Sequence, residues 1–193
     1  MLVAVDGIYE GHILISDTLK SGADKAVSQL HTMGIATAML TGDGAESAAA
    51  VAAAVGIGET HAKLLPQDKL TALRQIRKAK GSTMFVGDGI NDAPVLAGAD
   101  VGAAMGTGAD AAMEAADVVF MTADPLAVPE SVRIARQTQS VAWQNVIFAL
   151  SVKFIVMALG LLGYANMWMA VFADSGVAML CVINSVRMLY RKR

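Results

Sequence analysis

The 193-residue sequence is poor in cysteine and has no large excess of charge of either sign. Its one cysteine, Cys181, excludes an internal disulfide. The net charge of −2 lacks the basic excess that nucleic-acid binding requires, so no nucleic-acid partner is expected. Residues 1–6 lack the basic start and the long apolar run of a signal peptide.

Charge is also missing from most of the last third of the chain. Between Gln137 and Val186 the only charged residues are Lys153 and Asp174, whereas the residues before Gln137 carry nearly all the other charge. Hydrophobic residues make up 55% of the sequence and the mean hydropathy is +0.51, which is high for a soluble domain. The composition therefore predicts a water-soluble part, an apolar part and a boundary near Ser140.

Strand and helix patterns alternate over the first 125 residues. This alternation predicts an α/β fold of the Rossmann type, a mostly parallel sheet with helices on both faces. Gly7–Gly11, between the first two strands, predicts a hairpin. The predicted strands are Leu2–Val5, His12–Ile15, Ile35–Leu40, Thr83–Val86, Val101–Ala104 and Val118–Met121. The predicted helices cover about 21–33, 44–54, 66–79, 92–98 and 109–114.

Two apolar stretches near the C-terminus have the length of membrane spans. Pro129 is placed to begin a helix, residues 146–165 and 167–186 each supply about 20 residues, and Asn166 lies at the turn between them. The basic residues flanking the pair are Arg133, Arg136, Arg187, Arg191, Lys192 and Arg193. Because such residues favour the cytoplasmic side, both outer ends and the soluble part are expected there. A buried helical hairpin is the alternative, but no soluble part of this chain is large enough to cover it.

Lys153 and Asp174 are charges inside the predicted spans, where charge is costly and marks a functional candidate. Counted from Asn166, their depths differ by roughly 7–8 Å at about 1.5 Å per residue. A lysine side chain bridges much of that difference, so the two charges are predicted to face each other. The alternative is an ion pair that only locks the hairpin.

The strongest motif is Gly87-Asp88-Gly89-Ile90-Asn91-Asp92-Ala93-Pro94, directly after a predicted strand. Two carboxylates, Asp88 and Asp92, at a strand end that opens into a helix suit magnesium, which prefers oxygen ligands and phosphate. The glycines allow close approach of the backbone to that phosphate. The alternative is an acidic turn that caps a helix.

Two weaker signals lie upstream of this loop. Thr41-Gly42-Asp43 follows a predicted strand, where a hydroxyl and free N–H groups can hold phosphate oxygens, although a helix N-cap explains it equally well. Lys69 begins a predicted helix and can neutralise a phosphoryl group, although a solvated helix charge is the simpler interpretation.

The order of Thr41, Lys69 and the Asp88 loop resembles that of the haloacid-dehalogenase-like phosphotransferases. The longer strings Met39–Asp43, Gly87–Pro94 and Ala99–Gly106 resemble the phosphorylation domain of cation-pumping P-type ATPases. Asp17 matches the hinge aspartate of that family, and the resemblance covers essentially the whole chain.

The resemblance implies an ATP-driven pump that uses Mg²⁺. Thr41 and Lys69 would contact the phosphoryl group, with Gly42 and Asp43 in the same loop. Asp88 would bind Mg²⁺ and Asp17 would act at the hinge. Asn91 and Asp92 would support the magnesium loop.

The membrane residues resemble those of the zinc-, cadmium- and lead-exporting class. The resemblance implies that Asp174, in Asp174-Ser175-Gly176, binds or adjoins the transported ion and that Lys153 is its internal counter-ion. The Cys-Pro-Cys string of that class is absent. Cys181 is interpreted as an ordinary apolar residue, and a soft-metal path along the membrane methionines is a weaker alternative.

The sequence departs from the family in one respect: it contains no Asp-Lys-Thr-Gly-Thr string, whose aspartate is phosphorylated in the family. The chain is therefore expected to be a fragment, inactive alone. Its expected parts are 1–15 from the nucleotide-binding domain, 16–128 as a phosphorylation domain without its first strand, and 129–193 as stalk and membrane helices. The expected location is the inner or plasma membrane, with several spans in the whole pump.

Two further hypotheses stay open. A membrane-anchored phosphatase of the same superfamily would need Asp6 as its nucleophile, because it alone follows an early strand. A non-catalytic fragment would instead regulate a full pump or pair with the missing N-terminal part. Without its central strand the sheet would expose unpaired edges, so the isolated chain is expected to be marginally stable.

Overall fold

A computed structural model of the chain describes residues 2–5, 8–12, 18–87, 92–106 and 113–190, with residues 2–5, 8–10 and 12 described by their backbone. The chain divides into two compact units, Met1–Pro129 and Glu130–Arg193. Each unit is described separately below.

The N-terminal unit opens with an antiparallel hairpin of β1 (Leu2–Val5) and β2 (Ile8–His12). The two strands flank Asp6-Gly7, a dipeptide that two-residue hairpin turns favour. The second strand was predicted too late in the sequence: it begins at Ile8 and not at His12. Residues 13–15 of the predicted strand lie outside the described residues.

The next two strands form a parallel pair of the βαβ type. Helix α1 (Ala23–Thr32) leads to β3 (Ala38–Leu40), helix α2 (Ala45–Val55) follows, and β4 (Glu59–His61) pairs in parallel with β3. The alanine-rich α2 buries Ala48, Ala52 and Val55 and ends at Gly56, whose φ of 82° is a left-handed conformation that glycine adopts without strain. Strand β4 was missed because three residues without an apolar pattern carry no strand signal.

Three more parallel strands form the second sheet. Helix α3 (Pro66–Lys80) precedes β5 (Met84–Gly87), and helix α4 (Ala93–Gly98) precedes β6 (Val101–Met105), which lies between β5 and β7 (Val118–Phe120). The core of this sheet comprises Val95, Leu96, Ala103, Ala104 and Phe120. The predicted α/β fold with parallel strands is confirmed. The helix predicted over 109–114 lies mostly outside the described residues.

The two parallel sheets are separate. Within the described residues, β3 pairs only with β4, and β5 pairs only with β6, so no hydrogen-bonded ladder joins one sheet to the other. Both β3 and β5 are edge strands in this arrangement, with one backbone edge that has no strand beside it.

Long apolar helices make up the C-terminal unit. Helix α5 (Ala127–Leu161) begins two residues before Pro129, so the predicted start at that proline was slightly late. It also ends before the predicted limit at 165, near Gly163, whose φ is 79°. Helix α6 (Met167–Val171), a π-helical segment (Phe172–Gly176) and helix α7 (Val177–Tyr190) follow. Two stretches, Ala127–Leu161 and Met167–Tyr190, are long and apolar enough to cross a membrane.

Candidate functional site

The Thr41 loop lies at the carboxyl end of β3, where parallel strands present free N–H groups. The Thr41 N–H extends the ladder by donating to the His61 carbonyl at 2.9 Å. The Thr41 hydroxyl donates to Asp43 Oδ2 at 2.7 Å and accepts from the Asp43 N–H at 3.1 Å. This closed turn holds the Thr41 hydroxyl at the sheet edge.

A second loop braces this turn from the side of β4. The Lys63 N–H donates to the Asp43 carbonyl at 2.9 Å, and the Leu64 N–H donates to the Thr41 carbonyl at 3.0 Å. Lys63 has a φ of 58°, the only positive φ among the described non-glycine residues. That conformation costs of order 1–3 kcal/mol and persists where neighbouring contacts require it. The two hydrogen bonds to the Thr41 loop are such contacts.

Lys69 and Asp92 form a partly buried ion pair. Lys69 Nζ donates to Asp92 Oδ1 at 2.8 Å, and the two side chains are 18% and 13% exposed. Lys69 lies in the first turn of α3, which begins at Pro66 and in which the Asp68 carboxylate accepts from the Leu65 N–H at 3.2 Å. Asp92 is the N-cap of α4. Two residues that are 23 positions apart in sequence thus meet at the start of two helices.

Two glycines permit close packing beside this pair, Gly98 between α4 and α3 and Gly102 between β6 and α4. A Cβ at Gly98, the last residue of α4, would overlap the Leu70 side chain, which neighbours Lys69 on α3. A Cβ at Gly102 on β6 would lie 2.5 Å from the Leu96 carbonyl oxygen. The absence of side chains at both positions therefore sets the spacing of α3, α4 and β6.

The Asp92 carboxylate adjoins the end of β5. A Cβ on Gly87 would lie 3.0 Å from Asp92 Oδ2, so the backbone and this carboxylate are nearly in contact. Carboxylate oxygens at the carboxyl edge of a parallel sheet are the donor type that magnesium binds, so the described part of the loop fits that ion. The other predicted residues of this site, Asp17, Asp88 and Asn91, lie outside the described residues.

Glu59 marks an ionic cluster that the sequence analysis missed. Its carboxylate accepts from Lys80 Nζ and lies 3.0 Å from His61 Nε2. The Lys80 hydrogen bond, followed by the His61 hydrogen bond, lowers the pKa of Glu59 from its ordinary value of 4.5. The cluster was missed because β4 itself was missed.

In the C-terminal unit, Lys153 Nζ lies 3.0 Å from Asp174 Oδ1, so the two charges predicted to face each other are in contact. Asp174 lies within the π-helical segment. Such segments widen one turn by an extra residue and occur often at functional sites. Gly176 permits close packing there, because a Cβ would lie 2.6 Å from the Phe172 ring.

Asn145 is a second residue that the sequence analysis missed. Its side-chain amide donates to the Cys181 carbonyl at 3.2 Å and to Ser185 Oγ at 2.9 Å, and it accepts from Asn184 Nδ2 at 2.8 Å. An amide within an apolar run is the signal that would have found it, since such residues often hydrogen-bond between membrane helices.

Comparison with known proteins identifies the family. The family model of haloacid dehalogenase-like hydrolases matches residues 2–100. The cadmium, zinc and cobalt-transporting ATPase of Bacillus subtilis is 50% identical over 98% of the chain, which covers 28% of that protein. The zinc-transporting ATPase of a Synechocystis species is 48% identical over 96% of the chain, which covers 26% of that protein.

A solved structure gives the same result. The crystal structure of a zinc-transporting PIB-type ATPase in the E2.Pi state matches with a TM-score of 0.89 and 38% identity, over 97% of this chain and 31% of that one. The chain thus spans roughly a quarter to a third of the length of these relatives. The predicted resemblance is confirmed: the chain belongs to the haloacid dehalogenase-like hydrolase family, and over nearly its whole length its relatives are zinc- and cadmium-transporting P-type ATPases.

Proposed function

We propose that this chain is part of an ATP-driven pump that exports zinc or cadmium, with lead as a further candidate ion. The carrying observation is the 3.0 Å contact of Lys153 with Asp174, between two membrane-length helices in a chain whose other unit has a phosphotransferase fold. A phosphatase has no need of paired charges in a membrane, whereas an ion pump requires a polar site there. The soluble unit is proposed to be cytoplasmic.

The Thr41 loop and the Lys69–Asp92 pair are proposed to hold the transferring phosphoryl group. The Thr41 hydroxyl donates to a phosphate oxygen once it leaves Asp43, and the Lys69 ammonium offsets phosphate charge. Asp88 and Asp92, with Asn91, would hold Mg²⁺, which supplies charge neutralisation when bound. Asp17 is proposed as the hinge residue, and ATP would bind to a nucleotide-binding domain outside these 193 residues.

In the membrane, Asp174 is proposed as a ligand of the transported ion and Lys153 as the cation that replaces it. The ammonium neutralises the carboxylate when the ion leaves, because a lone carboxylate in a membrane is costly. An ion pair that only locks the helices together is the competing interpretation. The two differ in whether zinc and Lys153 compete for Asp174.

The chain is proposed to act with a second segment that supplies the phosphorylated aspartate. No Asp-Lys-Thr-Gly-Thr string occurs among its 193 residues, and Thr41, Lys69 and Asp92 stabilise a phosphoryl group without accepting it. The separate edges of β3 and β5 agree with a sheet that takes up one more strand. The proposed division of the chain is residues 1–15 from the nucleotide-binding domain, 16–128 as the phosphorylation domain without its first strand, and 129–193 as stalk and membrane helices.

Co-expression of this chain with the complementary part of a zinc pump tests the proposal. With Mg²⁺ and radiolabelled ATP, we expect an acid-stable, hydroxylamine-labile label on the complementary polypeptide and none on this chain. Lys69→Ala should abolish that label, whereas Lys78→Ala, a change of the same type in the last turn of α3, should leave it intact. Label on this chain itself, or label unaffected by Lys69→Ala, would contradict the proposal.

The ion site is tested in the same preparation. Asp174→Ala should remove the dependence of labelling on zinc, whereas Ser175→Ala, a neighbouring change, should preserve it. If Lys153 competes with zinc for Asp174, Lys153→Ala should lower the zinc concentration that half-saturates labelling, because zinc then binds the carboxylate without a competing cation. Unchanged zinc dependence in both the Asp174 and Lys153 variants would favour the structural interpretation.

The phosphatase alternative is weakened by the pairing of β1. A nucleophilic aspartate of this superfamily must follow a strand of the parallel sheet, whereas β1 pairs antiparallel with β2 in a hairpin of its own. Asp6 lies outside the described residues. A phosphatase activity lost in Asp6→Asn would reverse this conclusion. A purely regulatory fragment would instead bind a full pump and leave the complementary polypeptide without label.

A further inference from the structure

The two membrane helices are joined at three places along their length. The turn over residues 162–166 connects them at one end, and the Asn145 amide bonds to α7 near the other. The contact between Lys153 and Asp174 lies between these two points. Its side chains are 55% and 76% exposed, so little packing holds them in place.

The Asn145 side chain makes three hydrogen bonds to the other helix. Its Nδ2 atom donates twice, to Ser185 Oγ and the Cys181 carbonyl, and its Oδ1 atom accepts from Asn184. The Cys181 thiol also donates to the Asn145 carbonyl at 3.7 Å. Rotation of either helix about its axis by a fraction of a turn would break several of these bonds together. The contact is therefore specific for one relative orientation of the two helices.

Burial along the helices shows the same alignment. The less exposed positions of both helices recur every three or four residues, as in a packed helix pair. On α5, between residues 141 and 156, they are Val141, Asn145, Ala149, Val152 and Val156. Between residues 173 and 188 they are Ala173, Gly176, Val177, Cys181, Asn184 and Met188. Asn145 and Asn184 are thus the polar members of an otherwise apolar or small-residue seam.

The ion pair and the Asn145 contact belong to one antiparallel alignment. Lys153 lies eight residues after Asn145, and Asp174 lies ten residues before Asn184. The π-helical segment around Asp174 contains an extra residue per turn, which accounts for part of that difference. A helix pair that satisfies Asn145 therefore also brings Asp174 opposite Lys153.

We propose that Asn145 is a positioning residue that sets the relative orientation of the two membrane helices and thereby holds Asp174 against Lys153. This inference rests on the proposed ion site for its functional meaning, while the geometry that it claims is independent of ions and ATP. A single polar residue in an apolar helix seam fixes register elsewhere in the same way, because every other alignment leaves it unpaired.

Cross-linking in lipid nanodiscs tests the inference on the full chain. Cys181 is the one cysteine, and Cys181→Ser keeps both its carbonyl and a side-chain donor. In that background Lys153→Cys is combined with Asp174→Cys, or with Ala178→Cys about one turn further on. The measured quantity is the rate of cross-linking by a short bismaleimide at positions 153 and 174, divided by the rate at positions 153 and 178. Because the ion pair is absent from both variants, this ratio depends on the remaining contacts between the helices.

Asn145→Leu is expected to lower the ratio of the two cross-linking rates about three- to tenfold, the range that one interhelical side-chain hydrogen bond supports. Gln144→Leu, the same change one residue away, should leave the ratio unchanged, because the Gln144 side chain bonds within its own helix to Ser140. Asn145→Leu combined with Asn184→Leu leaves neither amide unpaired, so the helices should stay associated while the ratio remains low.

Three outcomes would overturn the inference. Unchanged rates of both cross-links in Asn145→Leu would mean that the turn over residues 162–166 sets the alignment alone. Equal slowing of both cross-links would mean that Asn145 only holds the helices together. A ratio restored in the double variant would assign the alignment to apolar packing. None of these outcomes bears on phosphoryl transfer, so failure here is distinguishable from failure of the proposed pump function.

Discussion

Lys69 Nζ and Asp92 Oδ1, 2.8 Å apart, join the first turn of α3 to the N-cap of α4. The pair unites two motifs that the sequence presents separately, a lysine that begins a helix and the last acidic residue of the Asp88 loop. Lys69 lies near the positive N-terminal end of the α3 dipole, which disfavours a cation. The Asp92 carboxylate offsets both the Lys69 charge and the positive N-terminal end of α4.

We expect a double-mutant cycle on this pair to show strong coupling. Lys69→Met and Asp92→Asn should each destabilise the chain by about 1–3 kcal/mol, because each leaves a partly buried polar partner uncompensated. The double variant should cost less than the sum of the two by about 0.5–3 kcal/mol. Chemical denaturation in detergent measures all four free energies, and additive effects would show that the pair is solvent-screened.

Gly102→Ala is expected to be more harmful than Gly98→Ala, although both glycines line the α3–α4–β6 contact. The Cβ at position 102 would meet the backbone oxygen of Leu96, which cannot move without shifting α4, whereas at position 98 it would meet the end of the flexible Leu70 side chain. We expect a cost of about 1–3 kcal/mol or more for the former and less for the latter.

Gly58→Ala is the matched control for these substitutions, because a Cβ there would meet nothing within 4 Å. Thermal unfolding of the three variants in the same detergent orders their stabilities. Equal losses at positions 98 and 102 would contradict the assignment of the close approach to the Leu96 backbone.

The Glu59 carboxylate should titrate below its ordinary pKa because Lys80 and His61 hydrogen-bond to it. A lowered folded pKa adds stability above the unfolded value of about 4.5, and that stability is lost as the pH falls through the folded pKa. Lys80→Met should therefore raise the pKa of Glu59 and reduce acid-sensitive stability.

NMR titration of the Glu59 side-chain carbon in the labelled chain measures this shift. Lys78→Met, a neutralisation in the same last turn of α3, serves as the control and should leave the Glu59 titration in place. An identical Glu59 pKa in wild type and Lys80→Met would show that the ion pair is not formed in solution.

Asn166→Ala should weaken the start of the second membrane stretch. The Asn166 side chain accepts from the Met169 N–H at 3.0 Å and caps α6. Losing such a cap costs about 0.5–2 kcal/mol, and Asn166→Asp or Asn166→Ser should retain most of it. Unfolding of the helix pair in mixed micelles, followed by circular dichroism, measures the difference, and equal stability of the alanine and serine variants would exclude a capping role.

The prediction of the fold succeeded where sequence patterns are local and periodic. Helices such as α2 and α3 and the strands β5 and β6 were found within one or two residues of their limits, since apolar spacing, Gly56 and Pro66 mark their ends. The sequence did not predict strand β4 or the correct position of β2. Whether three to five residues form a strand depends on their pairing partners more than on their own composition. The charge-poor end of the sequence sufficed to predict two membrane-length helices.

By itself the sequence determined the family, the order of the phosphoryl-site motifs and the presence of two charges within apolar helices, because residue types at fixed spacings carry that chemistry. Only the tertiary structure decided that Lys69 bonds to Asp92, that a π-helical segment carries Asp174, and that Asn145 bonds to three residues of α7. The physical reason is distance along the chain: contacts between residues 20 to 40 positions apart depend on how helices pack, and packing depends on small clearances such as those at Gly98 and Gly102.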